Sequence, residues 1–126
     1  MDVKHEWYEE LPEQCPPSDA FSLDGFVCYR LCECLEPTEG DFLSHRALFP
    51  QKTFHAPECR ARAISVFKKP EDLDSLLKLA IHKHKAKVRI TLGRNDGVAM
   101  KTGRDSHYSW WRSRGFNLMR AIEGKA

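Results

Sequence analysis

The most chemically loaded stretch of the chain is residues 104–115, RDSHYSWWRSRG, where His107, Tyr108, Trp110 and Trp111 stand among Arg104, Arg112 and Arg114. An imidazole takes up and releases protons near neutral pH, so His107 is a candidate acid/base. Arginine holds phosphate through charge-assisted hydrogen bonds, and an aromatic ring stacked on a base contributes about 1–3 kcal/mol. The combination suits an anionic ligand with flat faces, a nucleotide or a nucleic acid, with Arg104, Trp110 and Arg112 as candidate contacts. If residues 107–112 are extended, His107, Ser109 and Trp111 share one face and Tyr108, Trp110 and Arg112 the other. One face can then be core and the other ligand-facing. Burial of both tryptophans as core is the competing reading.

Other constellations carry less. The run 82–89, HKHKAKVR, offers a basic patch with Lys101 and Arg104 across an expected hairpin, or an ordinary lysine-protected strand edge. Cys32, Cys34, His55 and Cys59 are spaced C-x-C…H-x3-C, too tight in the first pair for a common zinc knuckle, so neither metal nor cofactor is expected. Cys59, beside Arg60 in a loop, is the best placed of the five cysteines for nucleophilic chemistry, against the ordinary packing role of a thiol. No P-loop, GxGxxG, HExxH or GxSxG motif is present, which removes the commonest nucleotide hydrolases, dinucleotide enzymes and esterases. Small metal-independent nucleases stay open.

The elements that must position these groups belong to one domain, the simplest reading of 126 residues. Residues 1–25 read as an acidic, proline-containing arm pinned by Trp7, Tyr8, Leu11 and Phe21, and residues 26–126 as a single α+β domain. No apolar run approaches the roughly 18 residues that span a bilayer, and residues 1–14 are acidic without an apolar stretch. A cytoplasmic address without membrane contact is expected, and with it reduced cysteines, their number being odd. Net charge runs from −8 over residues 1–40 through +2 over 41–80 to +8 over 81–126. That asymmetry predicts a dipolar surface, or two halves that lie side by side and neutralise each other.

Residues 26–35, FVCYRLCECL, alternate as a strand with two largely apolar faces, and Arg30 is the exception whose charge needs a partner if buried. Thr38 caps an expected helix that Pro50 stops. Residues 61–67 form a second strand. Leu73, Leu76, Leu77, Ala80 and Ile81 recur at helical spacing and predict a helix over 70–84. Residues 87–92 alternate strictly, Asn95-Asp96-Gly97 supplies a turn, and residues 98–102 return as the paired strand. Residues 107–112 are a further strand or extended loop, and 116–122 a short terminal helix. The order predicts an α+β fold with a mixed or antiparallel sheet of about four to six strands and two main helices.

Tyr29-Arg30 on the first strand and Ile64-Ser65-Val66-Phe67 on the second, with the 70–84 helix after them, resemble the ADP-ribosyltransferase-like fold of small bacterial toxin domains over residues 26–92. The resemblance implies a nucleotide cleft in which Arg30 holds phosphate and Ser65 supports the site. Active members carry a late glutamate, whereas here the only acid after Asp105 is Glu123. That departure favours a ligand-binding descendant with His107 in place of the missing acid. The leading expectation is a small domain that binds a nucleotide-like or nucleic-acid ligand through its basic, aromatic C-terminal half. The alternatives are a toxin-like transferase or metal-independent nuclease with Arg30 and His107 as catalytic groups, and a protein-interaction module anchored on Trp110 and Trp111, with a salt-sensitive homo-oligomer if the acidic arm of a second copy meets the basic half.

Overall fold

A computed structural model describes residues 4–124, so the first three residues of the expected arm and the last two of the expected domain lie outside the described part. The fold is α+β. Strands β1 (Phe21–Ser22), β2 (Phe26–Cys32), β3 (Ile64–Phe67), β4 (Ala86–Leu92), β5 (Gly97–Lys101) and β6 (His107–Arg112) form an antiparallel sheet in the order β1-β5-β6-β3-β2-β4. The helices are short: α1 (His45–Leu48), α2 (Glu58–Ala61), α3 (Asp74–Leu77) and α4 (Leu118–Glu123).

The sheet is unevenly knit. β2 pairs with β4 over its full length, from Phe26↔Leu92 to Cys32↔Ala86. On its other side β2 meets β3 at a single position, Tyr29↔Phe67. β6 is paired on both sides, with β3 through Ile64↔Trp110 to Phe67↔His107 and with β5 through Gly97↔Arg112 to Lys101↔Tyr108. One face of the sheet carries the main core, where Cys28, Ile90, Ile64, Val66 and Trp110 meet Phe42, Phe116 and Ala121. The Trp110 ring stands edge-on to Phe116 at 4.9 Å and to Phe42 at 6.4 Å.

Three expectations about elements are corrected. β4 and β5 do not form a hairpin: a 3-10 turn at Arg94–Asp96 carries the chain from one edge strand to β5, which lies near the opposite edge. Asp96 closes this turn by accepting from the Gly93 amide at 2.6 Å. Gly97, at φ +132°, sits so close to the Trp111 carbonyl that a Cβ would overlap it, a place only glycine fills. With no hairpin, Lys101 and Arg104 do not join the 82–89 run in one patch.

The expected helix over 38–49 is two short turns. Thr38 caps a 3-10 turn at Glu39–Asp41, and Ser44 caps α1 by accepting from the Ala47 amide. Between them the backbone is unwound, which frees the Asp41 and Leu43 carbonyls to accept from Arg30. The expected helix over 70–84 breaks likewise into a 3-10 turn at Pro70–Leu73, α3, and a 3-10 turn at Ala80–His82, with Leu79 extended between the last two. Leu73 reaches the core at 1% exposure whereas Ile81 is 72% exposed. Helical periodicity is a weak prior, and packing that engages only the first turn decides here.

The N-terminal segment is tied to the body along its length. Tyr8 donates its amide to the Arg112 carbonyl, Arg114 donates to the Glu6 carbonyl, and Glu9 accepts from the Ser44 hydroxyl at 2.7 Å. Cys15 and Cys59 form a disulfide. This corrects the expectation of reduced cysteines and removes Cys59 as a nucleophile. An odd cysteine count leaves room for one bridge, and the buried Cys28 and Cys32 and the exposed Cys34 remain as thiols. Burial pushes the Cys28 and Cys32 thiols up to about 12, so both stay protonated. Disulfides persist in oxidising surroundings, so the cytoplasmic expectation loses the support it drew from reduced thiols. Among the described residues no helix is long and apolar enough to cross a membrane.

The bridge joins residues 44 apart in sequence, and closing a loop of that size stabilises by about 3–4 kcal/mol through the unfolded chain. Urea denaturation of the Cys15→Ala/Cys59→Ala variant, compared with the oxidised wild type, should show a loss of roughly that size. An unchanged midpoint would show that the bridge adds no net stability to this fold.

Candidate functional site

Arg30 lies where β2 and β3 part. Its Nη1 donates to the Ser65 carbonyl at 2.6 Å, its Nε to the Asp41 carbonyl at 2.6 Å and its Nη2 to the Leu43 carbonyl at 3.4 Å. The side chain thus bridges two strands that fail to pair beyond Tyr29↔Phe67. Its partners are neutral carbonyls, and among the described residues it forms no salt bridge. Burial lowers its pKa, but a guanidinium stays charged throughout the range in which proteins fold.

His107 sits one strand away at the start of β6. Its Nδ1 lies 3.0 Å from the Thr102 carbonyl and its Nε2 2.9 Å from Ser65 Oγ. A carbonyl only accepts, so Nδ1 carries the proton in the neutral ring and Nε2 accepts from the Ser65 hydroxyl. Gly103, at φ +63°, turns the chain tightly against the imidazole. The Thr102 hydroxyl, 2.7 Å from the Ser109 hydroxyl and 3.1 Å from Nδ1, completes the support. Burial holds the His107 pKa below the usual histidine range; Lys101 and Arg60 add to this, and the Thr102 carbonyl opposes it.

Arg30, Ser65 and His107 line one open cavity of about 630 Å³, within the size range of small-molecule sites. The floor is apolar, with Leu31, Phe67, Leu73 and Leu76, and the rim carries Lys52, Lys85, His45 and His82 against one acid, Glu33. The 49–54 wall is built by Arg46. It makes two bonds to the Glu58 carboxylate, at 2.8 and 2.9 Å, and donates to the Pro50 and Lys52 carbonyls. This holds Phe49 and Phe54 with the Lys52 ammonium over both rings, at 5.5 and 5.7 Å. His45, the first residue of α1, lies nearly parallel to Phe54 at 6.0 Å. Burial lowers its pKa, and Arg30, Lys52 and His107 push it further down.

The other candidate residues do not reach this cavity. Trp110 and Trp111 are each 0% exposed, because β6 is a central strand covered on both faces. Their indole N–H groups donate to the Asp96 and Cys59 carbonyls. Neither has a face to offer a base or a partner protein, which corrects both the stacking and the anchoring expectations. Burying an indole of 150–250 Å² stabilises by about 4–6 kcal/mol. Arg112 is buried between the Tyr8 and Phe116 rings and bonded to Glu39 and the Phe42 carbonyl, so it is a structural cation. Arg104 is exposed in the turn before β6, away from the cavity lining. Among the described residues no group of three or more His, Cys, Asp or Glu is placed to hold a metal ion.

The sequence reading missed His45, Phe49, Lys52 and Phe54, and placed His82 and Lys85 in a basic patch with Lys101 and Arg104 instead of at this cavity. A signal was present: residues 49–55, FPQKTFH, have the same aromatic–basic mixture as 104–115. In a loop such rings stay accessible, whereas in a central strand they become core.

The lowered pKa values set a direction for stability. A histidine whose folded pKa lies below its unfolded 6.5 binds fewer protons in the native state. Its contribution is therefore complete above pH 6.5 and is lost as pH falls from there towards the folded value. Thermal denaturation across pH 5–7.5 should show the midpoint falling below about pH 6.5, with a shallower slope in His107→Gln; an unchanged slope would place the titration elsewhere. No family model, curated protein or solved structure matches this chain, and the functional reading rests on this cavity.

Proposed function

We propose that the protein binds a nucleotide-like anionic ligand in the cavity shared by Arg30, Ser65 and His107. The observation that carries this reading is a desolvated guanidinium bonded only to neutral carbonyls, opening onto a cavity rimmed by His45, Lys52 and Lys85. The carbonyls carry no formal charge, and the nearby Asp41 carboxylate favours the charged form of the guanidinium, which attracts an incoming phosphate. Phe49, Phe54 and Phe67 supply apolar surface of the kind that a base or ribose covers. A single nucleotide fits this volume better than a strand of nucleic acid. The basic C-terminal half contributes His107 and Lys85 to the site, while Trp110 and Arg112 serve the core.

Titration calorimetry with a nucleoside diphosphate at low and high salt tests this. Binding should saturate at low salt and weaken as salt rises, since salt screens the attraction between the phosphates and the cationic rim. Lys52→Ala, which removes one exposed cation, should weaken it about tenfold. Absence of saturable binding at low salt overturns the proposal. Affinity that grows steadily with the length of single-stranded RNA would assign the basic groups to a nucleic acid instead.

A further inference from the structure

The hydrogen bonds around Ser65 are those of a nucleophile and its base. A serine hydroxyl is weakly nucleophilic on its own, and it becomes reactive when a neutral imidazole within hydrogen-bond reach accepts its proton and a third group orients the ring. Here Ser65 Oγ lies 2.9 Å from His107 Nε2, and the Thr102 carbonyl, 3.0 Å from Nδ1, fixes the tautomer that leaves Nε2 as the acceptor. Packing of Phe67 edge-on to the imidazole at 5.1 Å restrains the ring. Both reactive atoms belong to residues on the cavity wall. Arg30 is held beside Ser65 by its bond to the Ser65 carbonyl, where a charged guanidinium stabilises charge developing on phosphoryl oxygens.

We infer that Ser65 is a nucleophile, with His107 as its acid/base, and that the protein hydrolyses a nucleoside phosphodiester through a Ser65-phosphoryl intermediate. In the first step Ser65 Oγ bonds to phosphorus as the bond from phosphorus to the leaving alcohol oxygen breaks. The hydroxyl proton passes to His107 Nε2 and then to the departing alcohol. In the second step a water oxygen bonds to phosphorus and the Oγ–phosphorus bond breaks. The water proton passes through His107 back to Ser65 Oγ. The products are one alcohol and one phosphomonoester, with no redox change and with water as the co-reactant.

The inference rests on the cavity being an anion site, and the test separates the two. The full chain is treated with diisopropyl fluorophosphate, an uncharged electrophile that does not need that site, and adducts are located by peptide mass spectrometry. Capture forms an Oγ–phosphorus bond at Ser65 and releases fluoride. One adduct is expected, on Ser65; it should be absent in Ser65→Ala and form at least about a hundredfold more slowly in His107→Gln. The p-nitrophenyl ester of thymidine 5′-phosphate should release nitrophenolate with the wild type and not with Ser65→Ala. Binding of a nucleoside diphosphate to the wild type is measured in parallel, so that the anion site is read independently of labelling. A folded wild type that takes no label, a label elsewhere than Ser65, or an undiminished rate in His107→Gln overturns the nucleophile. Labelling at Ser65 in a protein that binds no nucleotide upholds the nucleophile and overturns the choice of substrate. Nucleotide binding without labelling does the reverse.

Discussion

Arg30 is the interaction on which the rest of the structure depends. Its guanidinium collects three carbonyls from two segments distant in sequence: Asp41 and Leu43, at the end of the Glu39–Asp41 turn and just beyond it, and Ser65 on β3. Each hydrogen bond from a charged donor contributes about 1.5–3 kcal/mol, set against a desolvation penalty of several kcal/mol for the ion. The favourable sum requires all three acceptors at once. This explains why the 38–44 stretch does not close into one helix, since a continuous helix would occupy the carbonyls that the cation needs. It also explains why β2 and β3 part after one paired position, because the side chain takes the place of ladder bonds between them.

The charge gradient along the chain serves the same packing. Acids from the first forty residues pair with bases from the last forty-six: Glu33 with His84 and Lys85, Glu39 with Arg112, Asp24 with Arg94, and Glu6 with Arg114. The halves interleave, so part of the gradient is offset inside the fold. Most of these pairs are exposed and each contributes little. At the cavity that Arg30 opens, Glu33 is the one lining acid and its carboxylate already faces His84 and Lys85.

The α+β class and the strand positions were legible because alternation over 26–32, 64–67 and 87–92 reports burial directly. The order of strands was not. Asn95-Asp96-Gly97 has hairpin chemistry, and nothing local says that β5 will pair with β6 and β1 instead of β4. The helix boundaries failed for a related reason: the stripe from Leu73 to Ile81 is periodic, yet only its start meets the core. At the site, Arg30 stood out as a charge on an apolar strand, and His107 as an imidazole among cations. His45 and Lys52 did not, since their importance comes from the Arg46–Glu58 clamp that folds the 49–54 loop towards the split sheet. Covalent pairing was equally hidden, because an odd cysteine count does not say which two will meet.

The cavity's histidines bind its cations and its chemistry into one argument. Burial, helped by Arg30 and Lys52, lowers the proton affinity of His45, and burial does the same at His107. Empty, the site thus holds neutral imidazoles beside a fixed guanidinium, which is the protonation state in which His107 Nε2 accepts from Ser65. A phosphate entering this field favours the charged form of every group near it, so binding and proton uptake are linked. The further a ligand's charge compensates Arg30 and Lys52, the more readily His45 takes up a proton. A buried, carbonyl-bonded arginine thereby does more than bridge two strands: together with burial and Lys52 it lowers the proton affinity of His45 in the site that their parting opens.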